Sequence, residues 1–433
     1  MNHLSNRSAH PATRALAVVG GAGLILAASG LLLSFFGPKT PYRFNASLDS
    51  PLDSDEFIQF LTIVTDGTLR RSRITRLKNG VQFYPSELEA IRKARHAVNL
   101  EFYEFSEGEV GDRFLAALTE RARAGVEVRV LVDRIGSAST HNAYFKGLRA
   151  AGGHMQWYHP LRWNTWQHIN NRTHRKLIVI DGQTGFIASA GIADHWLHAT
   201  PKGPAWRDTV FCVEGEAVAG LISTFSENWL EASGEILSGA AQFNFRSMSE
   251  GVKSFVVSST PHGGGTRARI LFQTLISSAR QSIRITTPYF LPDRSARSAL
   301  INAARRGVRV QILTAGPRID HPIVRRLSMQ SSRDLIKAGA QIYDYQPSMI
   351  HAKLMTIDHL WSVVGSTNFD HRSFGLNDEV NLAALDPTLA SVIDADQDAD
   401  IQQSRPLTLK EIRRRMFLGN LPNVLLEPVK LES

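Results

Sequence analysis

Cysteine is almost absent: Cys212 is the only one in 433 residues. An intrachain disulfide is therefore excluded, and cysteine usage does not identify the compartment. Cys212 lies in the apolar stretch TVFCVEG and is expected to be a small buried residue. With one thiolate available, zinc would have to rely on histidine. The conspicuous histidines each have a lysine two residues on, which disfavours a cation. No metal and no cofactor is expected. An acidic excess is also lacking, since the formal net charge is +9. That charge suits anionic lipid and nucleic acid alike and does not discriminate between them.

What the chain does have is duplication. HRKLIVID at 174–181 returns as HAKLMTID at 351–358, 177 residues later. In a strand, alternate residues share a face, so His174 goes with Lys176 and His351 with Lys353. Leu177–Ile180 and Leu354–Ile357 are continuous apolar runs, as expected of central strands covered on both faces. Asp181 and Asp358 close the runs with opposite parity to their histidines, which fits a structural role at a turn. Two histidines and two lysines suit attack on a phosphodiester. One neutral imidazole attacks phosphorus, and the other, protonated, gives its proton to the leaving alkoxide. The lysines hold the non-bridging oxygens and stabilise the charge of the transition state without a divalent metal.

More of each half repeats. AGVEVRVLVD at 124–133 matches RGVRVQILTA at 306–315, and AGGHMQWYHP at 151–160 matches AGAQIYDYQP at 338–347. Helical stretches at 86–98 and 268–283 lead into the strands LEFYEF and RITTPYF. Both halves therefore run helix, strand, helix, strand, helix, strand, histidine strand, an α/β organisation with mixed or parallel sheets. Further on, GFIASAGIADHW at 185–196 aligns with WSVVGSTNFDHR at 361–372. The second copy carries Ser366 and Asn368; the first keeps Ser189 but has Gly191 in place of the amide. Asp208 in WRDT and Glu379 in NDE follow, each able to accept a proton from a histidine's remote ring nitrogen and fix its tautomer.

Residues 15–36 form an uncharged, mostly apolar run of 22. At about 1.5 Å per residue it spans roughly 33 Å, enough for a bilayer core. Because LLLSFF continues past the small-residue stretch AAS, an uncleaved anchor is expected rather than a signal peptide. Flanking charges are balanced and leave orientation open. Residues 37–78, with Pro38, Pro41 and Pro51 and the run Arg70, Arg71, Arg73, Arg76 and Lys78, read as a stalk and a basic segment, either a solvated face or a headgroup contact. The stretch 400–433 reads as a basic amphipathic tail, lying at an interface or packed on the body, with an apolar side of Leu409, Ile412, Met416 and Phe417.

These motifs resemble the phospholipase D superfamily, whose HxKxxxxD motif occurs once in each half, and most resemble bacterial cardiolipin synthases and their relatives. The likeness covers roughly residues 79–399 and includes TPYFLPD, YQPSMIHAK and GSTNFDHRSFGLNDEVNLA. It implies two pseudo-twofold related α/β halves, 79–245 and 246–399, with sheets facing one shared active site, behind a tail (1–14) and a transmembrane helix. It further implies a phosphohistidine formed on His174, with His351 as the acid and Lys176 and Lys353 on the phosphate. Asn368 matches the motif asparagine, and Asp208 and Glu379 match the acidic positions that support the histidines. Gly191 departs from the motif. The activity implied is transfer of a phosphatidyl group between membrane phospholipids, joining two phosphatidylglycerols into cardiolipin plus glycerol, at a bacterial inner membrane. Hydrolysis to phosphatidic acid is the alternative, then a nonspecific nuclease; no nucleic acid is favoured and no protein partner is expected.

Overall fold

Duplicated sequence folds into duplicated elements. The computed structural model describes Tyr42, Phe44 and residues 49–417, apart from 161–170, Lys202 and 262–265. A leading helix, α1 (Asp55–Thr65), precedes the first repeat. That repeat runs β1 (Arg70–Lys78), α2 (Gly80–Lys93), β2 (Ala97–Phe102), α3 (Glu109–Arg123), β3 (Glu127–Asp133), α4 (Lys146–Ala150), β4 (His154–Tyr158), β5 (Lys176–Ile180), β6 (Thr184–Ala188), β7 (Thr209–Gly215) and α5 (Val218–Ser233). The second runs β8 (Val252–Ser259), α6 (Arg267–Ser278), β9 (Ser282–Thr287), β10 (Phe290–Leu291), α7 (Arg294–Arg305), β11 (Arg309–Ala315), α8 (Pro322–Lys337), β12 (Gln341–Tyr345), β13 (Leu354–Ile357), β14 (Trp361–Gly365), β15 (Phe369–Asp370), α9 (His371–Gly375), β16 (Glu379–Leu385) and α10 (Pro387–Gln402). A short strand β17 (Ser404–Pro406) and helix α11 (Leu409–Phe417) follow.

Local chemistry sets the boundaries. Ser54, Thr266, Asp293 and Asp386 each open a helix by accepting a backbone N–H from its first turn. The histidine-bearing repeats lead into β5 and β13, whose side chains alternate between two apolar layers. Ile178 and Ile180 face a first-half core with Phe83, Leu88 and Val98. Leu177 and Val179 enter a core shared with Leu354, Val364 and Leu382 of the second half and with Phe225 and Trp229 of α5. Both strands are thus covered on both faces, which is why they read as unbroken apolar runs.

The expected picture of two facing sheets needs correction. Their inner faces do pack through the shared core. Yet the strands also form one 15-stranded sheet in the order β17-β12-β11-β9-β13-β14-β16-β8-β1-β7-β6-β5-β2-β3-β4. It is mixed: β2, β3 and β4 are mutually parallel, as are β9, β11 and β12. The join is the antiparallel pairing of β1 with β8, Arg70 opposite Ser254 and Ser72 opposite Val252. Each half would otherwise end in a strand with unpaired N–H and C=O groups, and pairing them satisfies both edges.

Residues 55–78 are likewise no stalk. Phe57, Ile58 and Leu61 of α1 are buried in the second-half core near Phe255 and Trp361, and β1 lies at the middle of the sheet. The basic run alternates along β1. Arg70, Arg71 and Arg73 are exposed, whereas Arg76 and Lys78 lie 3.2 and 3.1 Å from Asp396 of α10. Arg70–Ser72 pair at the end of β1 where β7 terminates, the end away from Asp208, so the exposed arginines form a solvated face remote from the histidines. The tail also splits: β17 pairs with β12, and Leu407 and Ile412 are buried on the body, while 418–433 lie outside the described residues. The apolar run 15–36 lies outside them too; among those described, no helix is long and apolar enough to cross a membrane. Cys212 is half-buried rather than buried, and that burial pushes its thiol up to about 12.

Asp181 and Asp358 anchor each half in the same way. Asp181 accepts the backbone N–H groups of Arg95, His96 and Ala97 at 2.9, 2.7 and 2.8 Å. Asp358 accepts those of Arg280, Gln281 and Ser282, each at 2.8 Å. Both sit at φ 52°, a left-handed position that Asp tolerates better than most residues. Each clamps the helix-to-strand turn next to its own histidine strand. Asp181→Ala and Asp358→Ala are each expected to lose about 2–4 kcal/mol of stability in denaturant unfolding of the full chain, and Asp→Asn less. A loss under about 0.5 kcal/mol would remove this anchoring role.

Candidate active site

The histidines stand just ahead of their strands, because their backbone serves the opposite half. β5 begins at Lys176 and β13 at Leu354. The N–H of His174 donates to the carbonyl of Asp378 (2.9 Å), and that of His351 to the carbonyl of Arg207 (2.7 Å). Isolated parallel bridges, Thr173 with Asp378 and Arg207 with Ile350, mark the two crossings.

The side chains cross in the same sense. Nδ1 of His174 lies 3.0 and 3.1 Å from the carboxylate oxygens of Glu379, in the other half. Nδ1 of His351 lies 3.0 Å from Asp208, again in the other half. A carboxylate only accepts, so each Nδ1 carries the proton; Nε2 of His174 keeps its lone pair, and Nε2 of His351 accepts from Nζ of Lys353 at 3.1 Å. Ser189 donates to Asp208 and Ser366 to Glu379, and the backbone N–H of Thr209 adds a bond to Asp208 at 2.7 Å. The lysines close the centre. Nζ of Lys176 donates to the carbonyl of His174 (2.7 Å) and Nζ of Lys353 to that of His351 (2.9 Å). Lys176 thus fixes its own histidine with one N–H and retains others for an anion, whereas Lys353 divides its N–H groups between the carbonyl and the ring of His351. Asn368 is buried, and its amide oxygen has no partner among the described residues.

Burial governs the electrostatics. It pushes the His174 imidazole well below its ordinary value, helped by Lys176 and Lys353. Burial and Lys353 push His351 down to about 4 against the pull of Asp208. Burial likewise lowers Lys353 to about 8 and drives Lys176 well below the ordinary lysine range. Burial would raise Asp208, but His351, Lys353 and Ser189 hold it below its ordinary value, whereas burial wins at Glu379 and lifts it to about 7. Neutral imidazoles therefore stand beside two lysines whose burial loosens their protons and two acids shifted in opposite directions. Among the described residues, no group of three or more His, Cys, Asp or Glu side chains is placed to hold a metal ion.

All eleven singled-out residues fall in this centre or on its anchors; the sequence reading missed the layer behind it. Arg207 immediately precedes Asp208, and its guanidinium bonds Asp400 of α10 at 3.0 and 2.9 Å as well as the carbonyl of Asp208. Its counterpart before Glu379 is Asp378, which accepts the hydroxyl of Tyr158 at 2.7 Å and feels the buried Arg175 guanidinium. One dyad is braced by a buried cation and the other by a buried anion. The only advance signals were the dipeptides RD and DE and the stripe DADQDAD in α10.

Comparison with known proteins agrees with this geometry. A family profile described as "Cardiolipin synthase, PLD-like domain" matches residues 88–199 and 272–401. A probable cardiolipin synthase of Bacillus subtilis (strain 168) is 34% identical over 339 residues, 78% of this chain and 68% of that protein. Cardiolipin synthase A of Pseudomonas aeruginosa (strain LESB58) is 34% identical over 369 residues, 84% of this chain and 74% of that protein. Among solved structures, the phosphatidylserine synthase of Haemophilus influenzae Rd KW20 superposes with a TM-score of 0.66 at 14% identity, over 87% of this chain and 99% of that one, a likeness of fold.

The bracing layer has a measurable weight. Arg207→Met leaves Asp400 and Asp396 buried with one cation fewer and is expected to cost about 3 kcal/mol or more in denaturant unfolding. A cost below about 1 kcal/mol would mean that Lys78 and Arg76 suffice to balance α10.

Proposed function

The chain belongs to the cardiolipin synthase family of phospholipase D-like proteins, and on that premise we propose that it is a phosphatidyltransferase joining two phosphatidylglycerols into cardiolipin and glycerol. The observation that carries the reading is the crossed pairing of His174 with Glu379 and His351 with Asp208 around two buried lysines. In the donor step the Nε2 lone pair of His174 forms a bond to phosphorus and the bond to the glycerol oxygen breaks. His351 gives that oxygen its proton. In the acceptor step the terminal hydroxyl of a second phosphatidylglycerol attacks, His351 takes its proton, and the phosphorus–nitrogen bond breaks. Lys176 and Lys353 hold the non-bridging oxygens, and Asn368 faces the same task.

An acid that burial holds near 4 needs its proton supplied. A bound phosphodiester places a negative charge beside the imidazoles, which favours the protonated ring and raises the proton affinity of His351 toward working pH. The run 15–36 would serve as a single-pass anchor at the bacterial inner membrane and keep the centre near its lipid substrates.

Purified full-length protein given phosphatidylglycerol in vesicles or detergent, without added metal, is expected to yield cardiolipin and free glycerol by mass spectrometry. His174→Ala and His351→Ala should abolish both products. Phosphatidic acid in place of cardiolipin would make the enzyme a hydrolase. The lysines add a pH signature. Lys353 loses its proton in the free enzyme at about 8, so kcat/KM should fall as pH rises through about 8 or lower. A profile flat to pH 10 would show that phosphate is not held by that cation.

A further inference from the structure

Gly191 breaks the symmetry of the two motifs, and its surroundings show what occupies the space it leaves open. A Cβ at position 191 would lie 3.0 Å from Cζ3 of Trp196, 3.0 Å from the carbonyl oxygen of Glu104 and 3.1 Å from its Cβ. The glycine makes room for an indole. Trp196 is buried, and its Nε1 donates to Oδ2 of Asp208 at 2.9 Å, the same oxygen that lies 3.0 Å from Nδ1 of His351. Its ring meets the His351 imidazole edge-on, centroids 5.5 Å apart at 71°. In the second half the residue aligned with Trp196 is Arg372, and Glu379 has no indole donor among the described residues.

We propose that Trp196 is a positioning residue for the Asp208–His351 pair, its indole occupying the space that Gly191 leaves open and its N–H fixing the carboxylate. The inference rests on the phosphodiester reading of the centre but not on the lipid. A hydrogen bond to an ionised carboxylate is among the stronger ones, and in a buried site it favours the anion. Asp208 already receives Ser189 and the Thr209 N–H, and the charges of His351, Lys353 and Lys176 and the Tyr84 phenol also reach it. The indole fixes which oxygen faces the imidazole and stops the carboxylate rotating. It also keeps Asp208 an acceptor for the His351 ring. The two dyads are thus chemically unequal despite their shared backbone.

Trp196→Phe keeps the ring and removes the donor. Without that bond the Asp208–His351 pair holds its shared proton more tightly, so the acid limb of the kcat profile should move to higher pH by roughly one to two units. The maximal kcat should fall about 10-fold or more. The profile is read on the full-length enzyme with bis(4-nitrophenyl) phosphate, which needs only the histidine centre, and again with phosphatidylglycerol. A merely structural tryptophan would lower the melting temperature and kcat while leaving the limb in place, and a limb that coincides with wild type on both substrates overturns the proposal. Gly191→Asn should also lose activity, because the amide and the indole compete for one space. Turnover of the aryl diester without cardiolipin would sink the lipid reading and leave this one standing.

Discussion

Each imidazole is held by a carboxylate from the opposite half, and the rest of the molecule is arranged so that this crossing can exist. Neither half contains a complete dyad: His174 without Glu379, or His351 without Asp208, would be a buried imidazole with no fixed tautomer. The crossing extends to the backbone, where each histidine N–H is spent on the other half. It also explains why so much charge tolerates burial. Cations and acids alternate across the pseudo-twofold, so each is desolvated only in the presence of its opposite, and loss of one member strands the other.

The residues that gather in the candidate centre were legible because duplication of His-x-Lys, of the closing aspartates and of the serine positions is a local pattern. Helix and strand order was legible for the same reason, since apolar runs and turn residues act within a few positions. The failures share a different cause. β1 looked like a charged linker because the acids that neutralise Arg76 and Lys78 lie some three hundred residues downstream, in α10. The crossed partnership could not be read, because parity within a strand says which side a histidine faces but not which half lies there. Arg207 and Asp378 were hidden for a related reason: a charged residue beside a catalytic acid has no fixed spacing to the helix that balances it. The single apolar cysteine was nearly placed, and missed only in degree, because β7 packs on α2 without covering it fully.

The halves also diverge beside the histidines, where aligned positions carry different side chains. One side keeps an asparagine and an arginine, and the other has a glycine and a tryptophan. Trp206 adds to that difference, its ring also 5.5 Å from His351. Under the proposed mechanism, with attack on one face and protonation on the other, such a twofold scaffold gains from unlike walls, because attack needs an exposed lone pair and protonation needs a held proton.

The pairing of β1 with β7 and β8 has a consequence for how the chain is made. At about 5–20 residues per second, synthesis from Lys78 to Thr209 takes roughly 7–25 s, during which β1 has no strand partner. β8, on its other side, emerges later still. A nascent strand with both edges bare is an invitation to pair with a neighbouring chain on the same polysome. The sequence RRSRITRLK answers it: arginine or lysine at nearly every second position keeps that strand in solution until its own partners arrive. The charges of this solvated face are a safeguard of the unfinished protein.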